Sequence, residues 1–390
     1  MKHKKEQQDF NIRKEDKLML LCSRTRINDE IKSQIISLIQ QEMDWDYLLQ
    51  KSSEHKLTPL LYWQLNKVCH DSVPKDVMEH LKTFFLENAQ KNLLYMGELF
   101  KILDFFESQG ITAIPYKGPI LAIQAYGNLA LREFDDLDIF IYKKDFPKTK
   151  ELLISKDYEP QFLLRNAHEK KYIESQREYK FINHNNNINL EIHWNFTGLS
   201  FNGDWDHFEN LEQIQSNKIQ NKDLYSIPSE EMLLILCLHA SGHLWQRISW
   251  ICDINEFINS HQNMDWQYLM KTADNLRVKR ILITNLLLAV DILDLEIPGY
   301  NIDNLESDEF CKNLSFTIKN NLLKTKKSNG IYSKAVLRLK LREYKTDKIK
   351  DLLRLMFKPT TNEWKTHILP SYLYPLYYPL RSINLLKNKY

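Results

Sequence analysis

Three carboxylates are placed where they could bind a metal ion. Each lies on the polar side of a segment in which apolar and polar residues alternate. Asp136 and Asp138 open the run Asp-Leu-Asp-Ile-Phe-Ile, in which aliphatic residues recur at every second position. Side chains two residues apart in a strand share a face, so the two aspartates point away from the aliphatic side. Glu191 has the same place in the alternating run 188–193. Both runs are predicted to be strands with their acids on a solvated face.

Two such strands lying side by side, about 4.8 Å apart, would bring the three carboxylates within roughly 5 to 7 Å of one another. Each pair would then repel by on the order of 3 kcal/mol at an effective dielectric constant near 20. A divalent cation relieves this repulsion, and oxygen ligands favour Mg²⁺, with Mn²⁺ as the alternative. We therefore predict that Asp136, Asp138 and Glu191 are catalytic metal ligands for phosphoryl transfer. Replacing either aspartate by asparagine should abolish turnover and leave the fold intact.

The segment before the aspartates predicts a phosphate-binding turn. A short apolar strand over 111–116 leads to Gly118, and a helix follows over 119–126 with Pro119 at its start, where proline is tolerated. The backbone N–H groups at a helix N-terminus attract phosphate. Lys117 and Arg132 would add positive charge there.

Both cations also have structural interpretations. Lys117 is equally well explained as a residue flanking the tight turn, and Arg132 as the ion-pair partner of Glu133 or Asp135. The sequence does not choose between these roles and phosphate contact.

Two histidines, His239 and His243, are four residues apart on a predicted helix, a spacing that can chelate a transition metal. Ala240 stands where zinc proteases of the H-E-x-x-H type carry their glutamate, so this motif is absent. Two ordinary helix histidines are the commoner outcome. The functional alternative is a cleft contact with the nucleotide or the second substrate, together with Arg247 and Asp253.

The order Tyr-Lys-Gly-Pro at 116–119, Arg132, Asp136-x-Asp138 and Glu-Ile-His-Trp at 191–194 resembles a group of mostly uncharacterised bacterial nucleotidyltransferases of the polymerase-β-like superfamily. The resemblance extends over about 45–259. It implies a small mixed sheet with flanking helices, and paired aspartates whose metals activate a nucleoside triphosphate. Classical members have serine after the glycine, whereas this chain has Pro119, and their third acid is usually aspartate.

The elements that must position these residues give an α+β chain. Helical periodicity covers 14–109, a catalytic core is predicted over 110–228, and helices return over 229–390, after a flexible N-terminus at 1–13. The asparagine-rich joint 184–187 predicts a hairpin, because Asn tolerates positive φ. Three prolines among the tyrosines of 367–380 predict an irregular tail, for which a membrane interface and packing on the helical region are alternatives.

Composition narrows the class of protein. The formal charge is only +2, from 53 basic and 51 acidic residues, which makes long nucleic acid an unlikely partner. Five scattered cysteines, no secretory signal and no transmembrane segment favour a cytoplasmic protein.

The favoured function is transfer of a nucleoside monophosphate from a nucleoside triphosphate, ATP being the expected donor, to an acceptor hydroxyl. The sequence does not identify the acceptor: a small molecule or a peptide is expected, and an RNA end and a protein side chain stay open. The alternatives are a non-catalytic nucleotide-binding or antitoxin-like module, and a scaffold in a biosynthetic or defence system.

Overall fold

The computed structural model describes residues 12–163, 167–196, 215–219, 222–323, 331–366, 369 and 371–387. Of the predicted flexible N-terminus, residues 1–11 lie outside the described part. The described helices are α1 (Lys14–Cys22), α2 (Asp29–Ile39), α3 (Trp45–Glu54), α4 (Thr58–Cys69), α5 (Lys75–Ser108), α6 (Gly118–Tyr126), α7 (Phe146–Ile154), α8 (Ala167–Ser175), α9 (Ser229–Gly242), α10 (Ser249–Ser260), α11 (Trp266–Asn275), α12 (Lys279–Leu293), α13 (Asp303–Glu306), α14 (Glu309–Leu323), α15 (Ile331–Lys340), α16 (Lys345–Phe357), α17 (Thr361–Thr366) and α18 (Tyr377–Lys387).

Strands form one mixed sheet and one separate hairpin within the described ranges. The strands are β1 (Ala113–Pro115), β2 (Asp136–Ile141), β3 (Tyr158–Pro160), β4 (Glu178–Asn183), β5 (Ile188–His193), β6 (Gln215–Ile219) and β7 (Lys222–Ser226). The five-stranded sheet has the order β1-β2-β5-β4-β3, in which β2 and β5 are parallel and the other pairs antiparallel. The predicted α+β class is confirmed. A small mixed sheet is preceded and followed in the sequence by helical regions.

Local sequence explains how the elements next to the site begin and end. Helix α6 begins at Gly118 with Pro119 in its first turn, and Gly127 ends it with a φ of +67°, a left-handed cap that glycine adopts without strain. The β4–β5 hairpin turns through Asn187 at a φ of +55°, as the asparagine-rich joint predicts. Strand β1 is three residues long, shorter than the predicted run 111–116.

Buried apolar side chains form two clusters. The first joins α1–α4 to the helices α9–α14, so the N-terminal and C-terminal helical regions share one core. The second lies against the sheet and is built from the second half of α5, the strands, α7 and α8. Trp364 and Tyr377 from the C-terminal end of the chain belong to this second cluster.

The prediction of an irregular tail is wrong from Tyr377 onward. Residues Ser371–Leu376 form a 3-10 helix and α18 continues to Lys387. Pro379 lies in the first turn of α18, where a backbone N–H would have no partner within the helix. Proline therefore costs this helix little, and the tail packs through Tyr377 into the core of the sheet.

Candidate functional site

Strands β2 and β5 bring two of the predicted acids, Asp138 and Glu191, together. Asp138 lies opposite Glu191 in the parallel register, and Asp136 lies opposite Asn189. The aliphatic residues between them, Leu190 among them, are fully buried, so the alternation of faces is as the sequence predicts. One oxygen each of Asp138 and Glu191 and a ring nitrogen of His193 all lie within 4.8 Å of one another.

Asp138 does not lie on a solvated face, and that expectation is wrong. Only 3% of the residue is exposed, because two cations cover it. Lys117 Nζ lies 2.7 Å from Asp138 Oδ1, and His193 Nε2 lies 3.0 Å from the same oxygen. In the absence of a divalent ion, internal cations therefore neutralise this carboxylate.

Glu191 is held by a second set of cations. Lys180, its neighbour across the β4–β5 hairpin, forms an ion pair with it. His193 Nε2 is 3.4 Å from Glu191 Oε2, and the other ring nitrogen is 3.6 Å from Glu178 Oε2. The His193 ring thus lies among three carboxylates and orients two of them.

The charges of the cluster depend on one another. Burial and then Asp138 raise the pKa of Asp136 to about 6. Burial also acts to raise the pKa of Asp138, but Lys117 and His193 outweigh it and lower this pKa. Burial opposes protonation of His193, yet its hydrogen bonds to Asp138 and Glu191 raise the pKa to about 8. At neutral pH His193 is therefore mostly an imidazolium, and Asp136 is ionised, although less readily than an ordinary aspartate.

Gly118 makes the close approach of α6 to β2 possible. Its φ is +52°, and a Cβ at this position would lie 3.0 Å from the backbone oxygen of Asp136. A side chain would therefore push the first turn of α6 away from the strand that carries the aspartates. This turn presents the N-terminus of α6 and Lys117 to the carboxylates.

Arg132 has a partner that neither sequence interpretation included. Its Nε and Nη2 atoms donate to the two carboxylate oxygens of Asp253 at 2.8 and 2.9 Å, and Tyr126 Oη donates to the same carboxylate at 2.7 Å. Its Nη1 atom is 3.4 Å from the Gly118 carbonyl. The guanidinium thus ties α10 to the glycine turn.

His239 lies in the last turn of α9 and His243 caps that helix. Their ring centroids are 4.7 Å apart, and each ring contacts Trp250, at 5.6 and 5.0 Å respectively. Burial, followed by the charge of Lys117, lowers the pKa of both histidines. They are therefore neutral rings close to Lys117, and they form an aromatic surface with Trp250.

Sequence reasoning missed the role of His193. It put His193 on the same polar face as Glu191 but assigned it no function, although the i, i+2 spacing already placed the two side chains together. The Arg132–Asp253 pair had no comparable signal, because the two residues are 121 positions apart and lie in different elements.

The donor atoms present suit a divalent cation. Two carboxylate oxygens and an imidazole nitrogen lie within 4.8 Å of one another, and hard divalent ions accept such ligands when oxygen predominates. The Nζ atom of Lys117 now neutralises the same carboxylate. A cation would replace the charge of Lys117 and require the neutral form of His193.

The small mixed sheet with helices before and after it in the sequence is consistent with a nucleotidyltransferase-like fold. Residues 41–294, well over half of the chain, match the model of a family described as uncharacterised nucleotidyltransferase. The chain belongs to this family, as its resemblance in sequence implied. A search of curated proteins finds no match. In the described part of the chain, no helix is both long and apolar enough to cross a bilayer.

Proposed function

We propose that this protein is a metal-dependent enzyme that transfers a nucleoside monophosphate from a nucleoside triphosphate, with ATP as the expected donor, to an acceptor hydroxyl. The observation that carries the proposal is the pairing of Asp138 with Glu191 on parallel strands beside the glycine turn of α6. In the reaction, the hydroxyl oxygen attacks the α-phosphorus, and pyrophosphate and a proton leave.

Asp136, Asp138 and Glu191 would hold Mg²⁺ or Mn²⁺, with His193 orienting the carboxylates or supplying a nitrogen ligand. The bound ion would stabilise the charge of the attacking and leaving oxygens. Lys117, at 2.7 Å from Asp138, would exchange this carboxylate for a phosphate oxygen when a triphosphate enters. The backbone N–H groups at the start of α6, from Gly118 onward, would hold the same phosphates.

Arg132 would act as a positioning residue, since its guanidinium binds Asp253 and reaches the carbonyl of Gly118. His239 and His243, with Trp250, would form the aromatic wall against which the nucleotide or the acceptor packs. The acceptor would be a small molecule or a peptide.

The test is a screen for pyrophosphate release with each of the four common ribonucleoside triphosphates, Mg²⁺ and a metabolite extract. We expect the native protein to release pyrophosphate with at least one triphosphate, and the Asp138→Asn variant to release none. Release that is equal for both proteins would show that these carboxylates do not carry the reaction.

A non-catalytic nucleotide-binding module is distinguished by combining this screen with thermal unfolding. We expect Mg²⁺ and ATP together to raise the melting temperature more than either alone, because ion and triphosphate complete each other's coordination. Ligand at 100 times its dissociation constant stabilises a protein by about 2.7 kcal/mol. A shift that persists with EDTA would contradict a metal site, and a metal-dependent shift without turnover would favour the binding module.

A further inference from the structure

Helix α16 has its polarity reversed relative to an ordinary surface helix. Asp347 and Asp351 are buried, at 3% and 4% exposure. The apolar residues at positions i, i+3, i+4, i+7 and i+8 of the same helix face solvent, with 40 to 59% of each residue exposed. These five residues, called the apolar strip below, are Ile349, Leu352, Leu353, Met356 and Phe357.

The buried aspartates show that this orientation is specific. Asp347 lies 3.4 Å from Nη1 of Arg277, in the loop between α11 and α12, and Asp351 forms an ion pair with the buried Arg342. Rotating α16 to bury the apolar strip would move both aspartates away from these partners. The strip is therefore exposed because the opposite face of α16 is fixed by ion pairs.

The strip belongs to a strongly basic part of the chain. The C-terminal module, defined here as α15–α18 (residues 331–387), has twelve lysines and arginines and four acidic residues, a net charge of +8. The rest of the chain has a net charge of −6, which gives the total of +2. Lys345 and Lys348 lie one helical turn before Ile349 and Leu352, at the edge of the strip. The module also lies beyond residues 41–294 that match the family model.

Other contacts hold the module on the protein. Trp364 stacks on Tyr377, with ring centroids 4.6 Å apart, and contacts Tyr172 of α8 at 5.7 Å. Gln176 Nε2 donates to the Pro359 carbonyl at 3.0 Å. None of these contacts involves a residue of the apolar strip, so the strip is not needed to attach the module to the sheet.

We propose that the apolar strip and its flanking lysines bind the surface of an anionic phospholipid bilayer, with α16 lying in the plane of the interface. A helix with an apolar face and adjacent lysines binds such a surface through both buried apolar area and attraction to anionic headgroups. A second copy of the chain fits less well, because two modules face to face would bring together two charges of +8. Nucleic acid also fits less well, because its charged phosphate backbone offers no apolar surface against which the strip could pack.

The experiment measures sedimentation of the full chain with vesicles of phosphatidylcholine alone or of phosphatidylcholine with phosphatidylglycerol. We expect binding only to vesicles that contain phosphatidylglycerol, and weaker binding as salt is raised. The double variant Leu352→Glu, Leu353→Glu should bind at least about tenfold more weakly. In the native protein, each leucine stabilises the bound state by moving from water into the bilayer interface. The double variant Lys345→Glu, Lys348→Glu should lose the preference for anionic vesicles.

The matched control is Leu93→Glu, Leu94→Glu on α5, where both leucines are 63% exposed but lie outside the basic module. This control should bind vesicles as the native protein does. Comparing the melting temperatures of the variants separates loss of binding from loss of folding. The proposal is overturned if the protein binds neither kind of vesicle, or binds both equally. An equal loss of binding in the α5 control would also overturn it. So would binding to RNA or to a protein partner that needs the lysines but not the leucines. None of these outcomes involves nucleotide turnover, so the proposed function stands or falls separately.

Discussion

The carboxylate cluster and the C-terminal module both pair buried acids with cations, but the cluster keeps its apolar residues inside and the module exposes them. In the cluster, Asp138 is buried and Glu191 is half-buried, each forms an ion pair with a lysine, and apolar residues lie behind them in the sheet. In the module, α16 buries its acids and turns its apolar strip outward under an excess of positive charge. The near-zero net charge of the chain thus hides two parts of opposite sign, the module at +8 and the rest of the chain at −6. A chain average therefore says little about which partner each region selects.

The largest expected effect is on nucleotidyl transfer, which a substitution in the carboxylate cluster should abolish and a substitution in the module should leave intact. Asp138→Asn should lower nucleotidyl transfer by at least about a thousandfold, since it removes charge from the centre that stabilises the transferring phosphoryl group. Leu352→Glu should change transfer to a water-soluble acceptor by less than about twofold, because surface substitutions away from a site have small effects. Steady-state pyrophosphate release measures both. Equal losses in the two variants would show that the regions do not act separately.

The next effect concerns the buried pair that joins the glycine turn to α10. Arg132→Met should lower the free energy of unfolding by about 3 to 5 kcal/mol, because it leaves the Asp253 carboxylate buried without its cation. Urea denaturation measures the loss. The double variant Arg132→Met, Asp253→Asn should recover part of it, since the remaining group is neutral. If the single variant unfolds like the native protein, the pair is not the tie between these elements.

A third, smaller effect separates the two aspartates of the cluster. At pH 8, Asp138→Asn should destabilise the metal-free protein by about 2 to 4 kcal/mol, because Lys117 loses a buried partner at 2.7 Å. Asp136→Asn should instead stabilise it by about 1 to 2 kcal/mol. The pKa of Asp136 is raised to about 6, so its ionised form is disfavoured in the fold, and this cost appears as pH rises through 6.

Denaturation of both variants at pH 5 and pH 8 tests this separation. The gain of Asp136→Asn should be largest at pH 8 and shrink toward pH 5, whereas a gain of equal size at both values would contradict the raised pKa. From the sequence alone, neither replacement was expected to cost stability, since each removes charge from a repulsive cluster. The structure changes that expectation for Asp138, since its charge is compensated even without a metal ion.

Much of the core could be predicted because local patterns determine it. The alternation in β2 and β5 fixed the faces of Asp138 and Glu191, and Gly118 marked the start of α6. The hairpin turn at Asn187 followed from its tolerance of positive φ.

What could not be predicted depends on residues far apart in the sequence or on the sum of many weak preferences. Lys117 reaches Asp138 only once β1 and β2 pair, and Asp253 meets Arg132 only once α10 packs on α6. The reversed orientation of α16 is similar, because the helical spacing of its apolar residues predicts a buried strip. Ion pairs with Arg277 and Arg342, which lie outside that helix, instead bury its aspartates and leave the strip exposed.

The smallest expected effect concerns Glu133, an acid outside both the module and the carboxylate cluster, and tests whether its partial burial lowers the free energy of unfolding. Glu133 is half-buried, and one of its carboxylate oxygens has no hydrogen-bond partner among the described residues. Burial raises its pKa to about 7, although Lys56 and Lys91 oppose the shift. A carboxyl whose pKa is higher in the folded state contributes stability below its ordinary value of 4.5, and this contribution is lost as pH rises through 7. Glu133→Gln should therefore raise the free energy of unfolding by about 1 to 2 kcal/mol at pH 8 and by almost nothing at pH 4. Urea denaturation at the two pH values measures this, with Glu107→Gln, on the exposed side of α5, as a control that should change stability at neither. A gain of the same size at pH 4 would show that the amide improves packing instead, and that buried acids outside the cluster carry no charge penalty.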